Sequence, residues 1–136
     1  MKKLVLFLFI TGSIMISACK DKSTTAVDTN YTSSFNAKVG MEVIQFHMEH
    51  RCKTCETIEV VTNKAITGYQ NLPFRLVNIE VEENDAMARD FKVAGTALFL
   101  YDKATGKKVD LTDFAFMNAF DEEKFVKGLQ KEIDQF

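Results

Sequence analysis

The sequence predicts an α/β domain with a central mixed sheet of about four to five strands flanked by helices. Apolar segments of strand length alternate with segments whose apolar residues recur at helical spacing. Their order is strand, helix, strand, helix, strand, strand, helix, which is typical of a sheet with a parallel part and an antiparallel hairpin. We assign this domain to residues 39–136, a length suited to one domain.

The first half of the domain is predicted to hold two strands and two helices. The segment MEVIQFHM is an apolar strand, and CETIEVVTNKAI follows it with helical spacing until Gly68 ends the helix. The branched residues of FRLVNIEV indicate a second strand. The segment ENDAMARDFKV then has the pattern of a short helix.

The second half is predicted to form a strand, a hairpin and a closing helix. The segment TALFLYD is the third strand, and KATG supplies the turn into KKVDL. The segment DEEKFVKGLQKEI has apolar residues four apart and acidic residues at its start, where the helix dipole favours them. Met117, which precedes this helix, is interpreted as a core residue.

The N-terminal segment is typical of an exported protein. Two lysines precede an uncharged, mostly apolar run that ends at Ala18, which predicts a secretory signal peptide over residues 1–18. This run is shorter than the ~20 residues that cross a bilayer. Ile16-Ser17-Ala18-Cys19 is similar to a bacterial lipobox, so Cys19 is predicted to receive a lipid. The alternative is an ordinary signal peptide with a chance cysteine.

Residues 19–38 are predicted to be a lipidated N-terminus and flexible tether, because they are polar and lack apolar periodicity. In the alternative, Tyr31 or Phe35 docks on the domain as an extra strand. We expect a location in the cell envelope, periplasmic or at the outer surface, with a membrane anchor of acyl chains. Without the signal peptide, acidic residues outnumber basic ones and no basic patch is present, which argues against nucleic acid as a partner.

The segment HMEHRCKTC, from His47 to Cys55, concentrates the reactive side chains. Since Cys19 is assigned to lipid, Cys52 and Cys55 form an even pair in a compartment where disulfides persist. The pair could exchange electrons, or it could join His47 and His50 in a tetrahedral metal site. A structural disulfide is the least favoured interpretation, because closing so short a loop stabilises a fold by only about 1.9 kcal/mol.

The position of this motif before a helix favours thiol chemistry. A CxxC segment at a helix start puts both sulfurs on the first turn, where disulfide geometry can be approached. The helix N-terminus also favours a thiolate. Arg51 and Lys53 flank Cys52 and are expected to act in the same direction, and His50 adds positive charge when protonated.

The stretch from about Met41 to Phe136 resembles a thioredoxin-like domain. Cys52-Lys53-Thr54-Cys55 matches the CxxC that follows the first core strand, and LVNIEVEENDAMARDFKVAGTALFLYD resembles the family's second strand, short helix and third strand. The resemblance implies exchange with a thiol or disulfide of a partner protein. It implies that Cys52 is the exposed attacking thiolate and Cys55 the buried resolving thiol, through a mixed disulfide on Cys52. No cofactor is expected.

Two departures from the family affect the site. Ala97 lies at or near the place of the cis-proline that faces the sulfurs, which makes ligation of a soft metal or metalloid more plausible and keeps the metal alternative open. Gln45 lies near the place of the family's buried acid. Glu56 or His47 is therefore a candidate for helping to deprotonate Cys55.

A narrower resemblance rests on QFHMEHRCKTC and the proline-free VAGTALFL. Both are similar to exported thioredoxin-like proteins labelled as a nitrophenyl-compound nitroreductase subunit and associated with arsenic-resistance gene clusters. The resemblance implies a thiol-based handler of electrons or metalloids that works beside other redox components. Nitroreduction would need a flavin from a partner, because the sequence suggests no flavin site. A third possibility is a non-catalytic accessory subunit that keeps the fold as a docking surface.

Overall fold

A computed structural model describes residues 35–136 of the chain. The predicted signal peptide, Cys19 and most of the predicted tether lie outside these residues. The described elements follow one another in this order: β1 Phe35–Asn36, β2 Met41–His47, α1 Lys53–Ile66, β3 Tyr69–Gln70, β4 Phe74–Asn78, a 3₁₀ turn Glu82–Asn84, α2 Asp85–Phe91, β5 Ala97–Asp102, β6 Lys108–Asp110, α3 Thr112–Asn118 and α4 Glu122–Gln135.

The main sheet has four strands in the order β4-β2-β5-β6. Strand β2 pairs in parallel with β4 and antiparallel with β5, and β5 pairs antiparallel with β6. Four helices flank this sheet. The α/β fold with a mixed sheet is therefore confirmed, and it is a thioredoxin-like fold.

Both faces of the sheet are buried. Successive residues of β2 and β5 point to opposite sides, so each of these strands contributes to two buried clusters. One face packs against α1, α3 and α4, and its cluster includes Val43, Leu98, Leu100, Ile58, Val61, Ala65, Phe125 and Leu129. The other face packs against α2, and its cluster comprises Ile44, Phe46, Val77, Phe91, Ala97 and Phe99. This two-sided burial fixes the register of β2, the strand that leads into the cysteine motif.

The structure differs from the first sequence expectation at several elements. Strand β1 pairs in parallel with β3, so Phe35 adds a short strand, as in the alternative to a fully flexible tether. Helix α3 was not predicted, and Met117 lies on it with 82% of its surface exposed, so its assignment to the core is wrong. Helix α1 ends at Ile66 with Thr67 as its C-cap, so it ends directly before Gly68 as predicted, although Gly68 does not take the positive φ of a glycine cap. The hairpin turn is confirmed, and Gly106 takes the positive φ there.

Helix α4 contains a glycine that packing requires. A Cβ atom added to Gly128 would lie 2.4 Å from Cε2 of Phe114, whose ring packs on Phe125. Overpacking lowers the free energy of unfolding by about 1–3 kcal/mol, whereas the higher helix propensity of alanine raises it by only about 1 kcal/mol. We expect Gly128→Ala to lower the free energy of unfolding by roughly 1 kcal/mol in urea titrations.

Gly95 is the matched control for this substitution. In the described part of the chain, no atom lies within 4 Å of a Cβ added there. Gly95→Ala is therefore expected to leave the stability unchanged or to raise it by about 0.5 kcal/mol through the lower entropy of the unfolded chain. Equal stability of the wild-type chain and Gly128→Ala would show that the Phe114 ring moves aside at no cost.

Candidate active site

The two cysteines of the CxxC motif meet at the start of α1. Cys52 is the N-cap residue with extended backbone, and Cys55 lies on the first turn of the helix. Their Sγ atoms are 2.7 Å apart, and both cysteines are free thiols. Cys52 is exposed, whereas Cys55 is only 5% exposed. The motif therefore presents one accessible sulfur with a second sulfur directly behind it.

Hydrogen bonds within the motif stabilise the thiolate of Cys52. The pKa of Cys52 lies below the ordinary value of a thiol, first because of the side-chain hydrogen bond from Cys55 and next because the backbone N–H of Cys55 donates to Cys52 Sγ at 3.4 Å. The backbone N–H of Thr54 contributes less. A thiolate is the nucleophilic form of cysteine, so this arrangement is able to attack a disulfide.

The flanking cations are placed differently from the sequence expectation. Arg51 forms an ion pair with Glu59, and its second amino group lies 3.4 Å from the carbonyl oxygen of Cys55. Lys53 is exposed on the first turn of α1. The causes of the lowered pKa of Cys52 are hydrogen bonds rather than these two side chains.

The two histidines do not join the sulfurs. His47 ends β2, and its Nδ1 lies 3.0 Å from the carbonyl oxygen of Met48. His50 is exposed in the following loop. Within residues 35–136, no three His, Cys, Asp or Glu side chains are grouped closely enough to hold a metal ion. The four-ligand site considered from the sequence is therefore not assembled in this structure.

Gln45 lies directly beneath the motif. Its side chain is fully buried, and its Nε2 donates to the carbonyl oxygen of Cys55 at 2.8 Å. Among residues 35–136, its Oε1 has no hydrogen-bond partner. Gln45 thus holds the first turn of α1 against β2 with an uncharged amide. Glu56, which was a candidate for assisting Cys55, is exposed on α1.

The loop before β5 contacts the buried thiol. Ala97 is the first residue of β5, is 7% exposed and pairs with Phe46 of β2. The preceding residue, Thr96, has its Oγ1 only 3.2 Å from Cys55 Sγ. Thr96 was not identified from the sequence. Its position next to Ala97, at or near the place of the cis-proline that faces the sulfurs in the family, could have indicated it. A cavity of about 420 Å³ opens on the same loop and is also lined by Asp110 and Thr112.

The hydrogen bonds around Cys52 give a testable prediction. Replacing Cys55 with alanine removes the largest cause of the lowered pKa and leaves the backbone donors in place. We expect Cys55→Ala to raise the pKa of Cys52 toward its ordinary value, so alkylation of Cys52 at neutral pH becomes slower. The measurement is the rate of reaction with iodoacetamide across pH. An unchanged midpoint would show that the backbone N–H groups alone set this pKa.

The chain therefore combines a thioredoxin-like α/β fold with two neighbouring thiols at a helix N-terminus. Comparison with protein-family models and with curated proteins finds no match to the chain. None of the helices in residues 35–136 combines the length and the apolar character needed to cross a membrane.

Proposed function

We propose that this protein is an exported, membrane-anchored thiol–disulfide oxidoreductase that exchanges electrons with a partner protein through Cys52 and Cys55. The observation that carries the proposal is the pair of adjacent sulfurs, one exposed and one buried, at the N-terminus of α1. Such a pair supports attack by the outer thiolate followed by resolution by the inner thiol.

The proposed reaction follows from the accessibility of the two sulfurs. The Cys52 thiolate attacks a disulfide of the partner, forms a mixed disulfide and releases one partner thiol. Cys55 then attacks Cys52 Sγ, which forms the Cys52–Cys55 disulfide and releases the second partner thiol. Oxidation of a partner is the reverse of these two steps. Resolution needs only a short movement of sulfur, because the Sγ atoms are already 2.7 Å apart.

The location belongs to the same proposal. The predicted signal peptide and Cys19 would place the domain in the cell envelope on an acyl anchor, in a compartment where disulfides persist. The narrower resemblance would place it among electron or metalloid handlers that work beside other redox components. A partner protein that carries a thiol or disulfide is therefore proposed as the substrate.

The second candidate function is binding of a soft metal or metalloid by the two sulfurs alone. The adjacent Sγ atoms favour it, since thiolates are the ligands that soft metals select. His47 and His50 do not support it, because His47 contacts the backbone of Met48 and no group of three ligands is formed within the described residues. Electron exchange therefore remains the better supported function.

Exchange with glutathione disulfide in the presence of a chelator tests the proposal. The reduced chain is expected to form the Cys52–Cys55 disulfide and release two thiols of glutathione, which peptide mapping and thiol titration detect. The double variant His47→Ala with His50→Ala is expected to react like the wild-type chain, because neither imidazole ring contacts a sulfur. A pair that stays reduced, while it binds zinc or arsenite tightly, would favour the metal-binding function instead.

A further inference from the structure

Thr96 is a polar contact of the buried thiol from outside the CxxC motif. Its Oγ1 lies 3.2 Å from Cys55 Sγ, across 41 positions of sequence. The residue is half-buried at the end of the loop that leads into β5, and the pairing of Ala97 with Phe46 fixes the backbone next to it. The hydroxyl is therefore held against the sulfur by the sheet itself.

The other polar groups near Cys55 are directed elsewhere. Gln45 Nε2 and Arg51 Nη2 both donate to the carbonyl oxygen of Cys55 and not to its sulfur. Cys52 Sγ lies within hydrogen-bond distance of Cys55 Sγ, but it has a proton to donate only while Cys52 is an unmodified thiol. Once Cys52 is joined to a partner sulfur, Thr96 is the hydroxyl donor that remains beside Cys55 in the described part of the chain.

We propose that Thr96 is a positioning residue for the resolving step, in which its hydroxyl donates a hydrogen bond to the Cys55 thiolate as that thiolate attacks Cys52. This inference rests on the proposed exchange function. In the step, Cys55 first loses its proton to water. The Cys55–Cys52 sulfur bond forms, the bond between Cys52 and the partner sulfur breaks, and the partner leaves as a thiolate that takes up a proton. The two Cys sulfurs are oxidised, and the partner disulfide has gained two electrons.

Burial makes this hydrogen bond important for the resolving thiol. Cys55 is 5% exposed, so water solvates its thiolate poorly, and a buried charge needs hydrogen-bond donors from the protein. Hydrogen bonds to charged groups are stronger than those between neutral groups. Loss of the hydroxyl is therefore expected to slow resolution by about tenfold to a hundredfold.

The two steps can be measured separately with the full chain and a disulfide that releases a coloured thiol. The first release reports attack by Cys52, and the second reports resolution by Cys55. Thr96→Val is expected to leave the first rate unchanged and to slow the second, whereas Thr96→Ser, which keeps the hydroxyl, is expected to restore it. Thr96→Ala also lacks the hydroxyl and is expected to match Thr96→Val.

Thr57→Val is the matched control for a lost hydroxyl near the motif. The Thr57 hydroxyl donates to the carbonyl oxygen of Lys53 within α1, so its removal is expected to change neither rate. If Thr96→Val and Thr96→Ala resolve at the wild-type rate, the inference is wrong while the exchange function stands. If these variants slow both steps, or if Thr96→Ser resolves as slowly as Thr96→Val, the role of Thr96 is structural and the inference is wrong. If the wild-type chain releases no thiol, the exchange function and this inference fail together.

Discussion

Cys52→Ser is expected to reduce exchange with a disulfide to the uncatalysed rate. Cys52 is the exposed sulfur, and its thiolate is the form that reacts, whereas a serine hydroxyl at the same place stays protonated and does not attack sulfur. Cys55 is nearly inaccessible and does not replace it. The measurement is the release of thiol from glutathione disulfide by the reduced chain.

Cys55→Ser is the informative partner of this substitution. Cys52 keeps its exposure and its backbone donors, so this variant is expected to perform the first attack and then to stop as a mixed disulfide. Mass spectrometry of the intact chain detects the bound glutathione. Full turnover by the Cys52→Ser variant, or a stable adduct on Cys55 in the wild-type chain, would reverse the roles assigned to the two sulfurs.

Phe46→Ala is expected to be the most destabilising of the substitutions considered. The Phe46 side chain is fully buried in β2, and its ring packs on Phe91 at 5.1 Å and edge-on against Phe99 at 5.9 Å between centroids. Truncation of a buried phenylalanine removes apolar contacts and leaves a cavity, which costs about 3–5 kcal/mol. The measurement is the free energy of unfolding in urea.

Phe120→Ala provides the control for the same chemical change. Phe120 follows α3 and is 71% exposed, so its truncation is expected to change the stability by no more than about 0.5 kcal/mol. Phe46→Leu keeps much of the apolar volume and is expected to fall between the two. Equal losses for Phe46→Ala and Phe120→Ala would contradict the packing described for the α2 face of the sheet.

Much of the fold follows from local sequence patterns. Strand β2 and helix α1 have apolar periodicities long enough to identify their type, and the turn at Gly106 carries a clear hairpin signal. The position of Cys52 at the start of a helix follows from that pattern alone. These features depend on residues that are close together in the sequence, so one amino-acid sequence is sufficient to predict them.

The remainder depends on contacts between distant residues. The approach of Thr96 to Cys55 results from the pairing of β5 with β2, which no local pattern indicates. Arg51 was expected to favour the thiolate of Cys52, but its guanidinium forms an ion pair with Glu59 of α1 instead. Helix α3 was missed because it is short, and Met117 on it is exposed despite being apolar.

The reduction potential of the Cys52–Cys55 pair tests the central claim most directly. The chain is equilibrated in metal-free glutathione buffers of graded potential, the free thiols are trapped, and the oxidised fraction is measured. A value between roughly −120 and −270 mV is predicted, because the potentials of working oxidoreductases lie in this range. Such a pair must both take up electrons and give them up. A value below about −300 mV, or a pair that does not oxidise, would contradict electron exchange as the function of these two sulfurs.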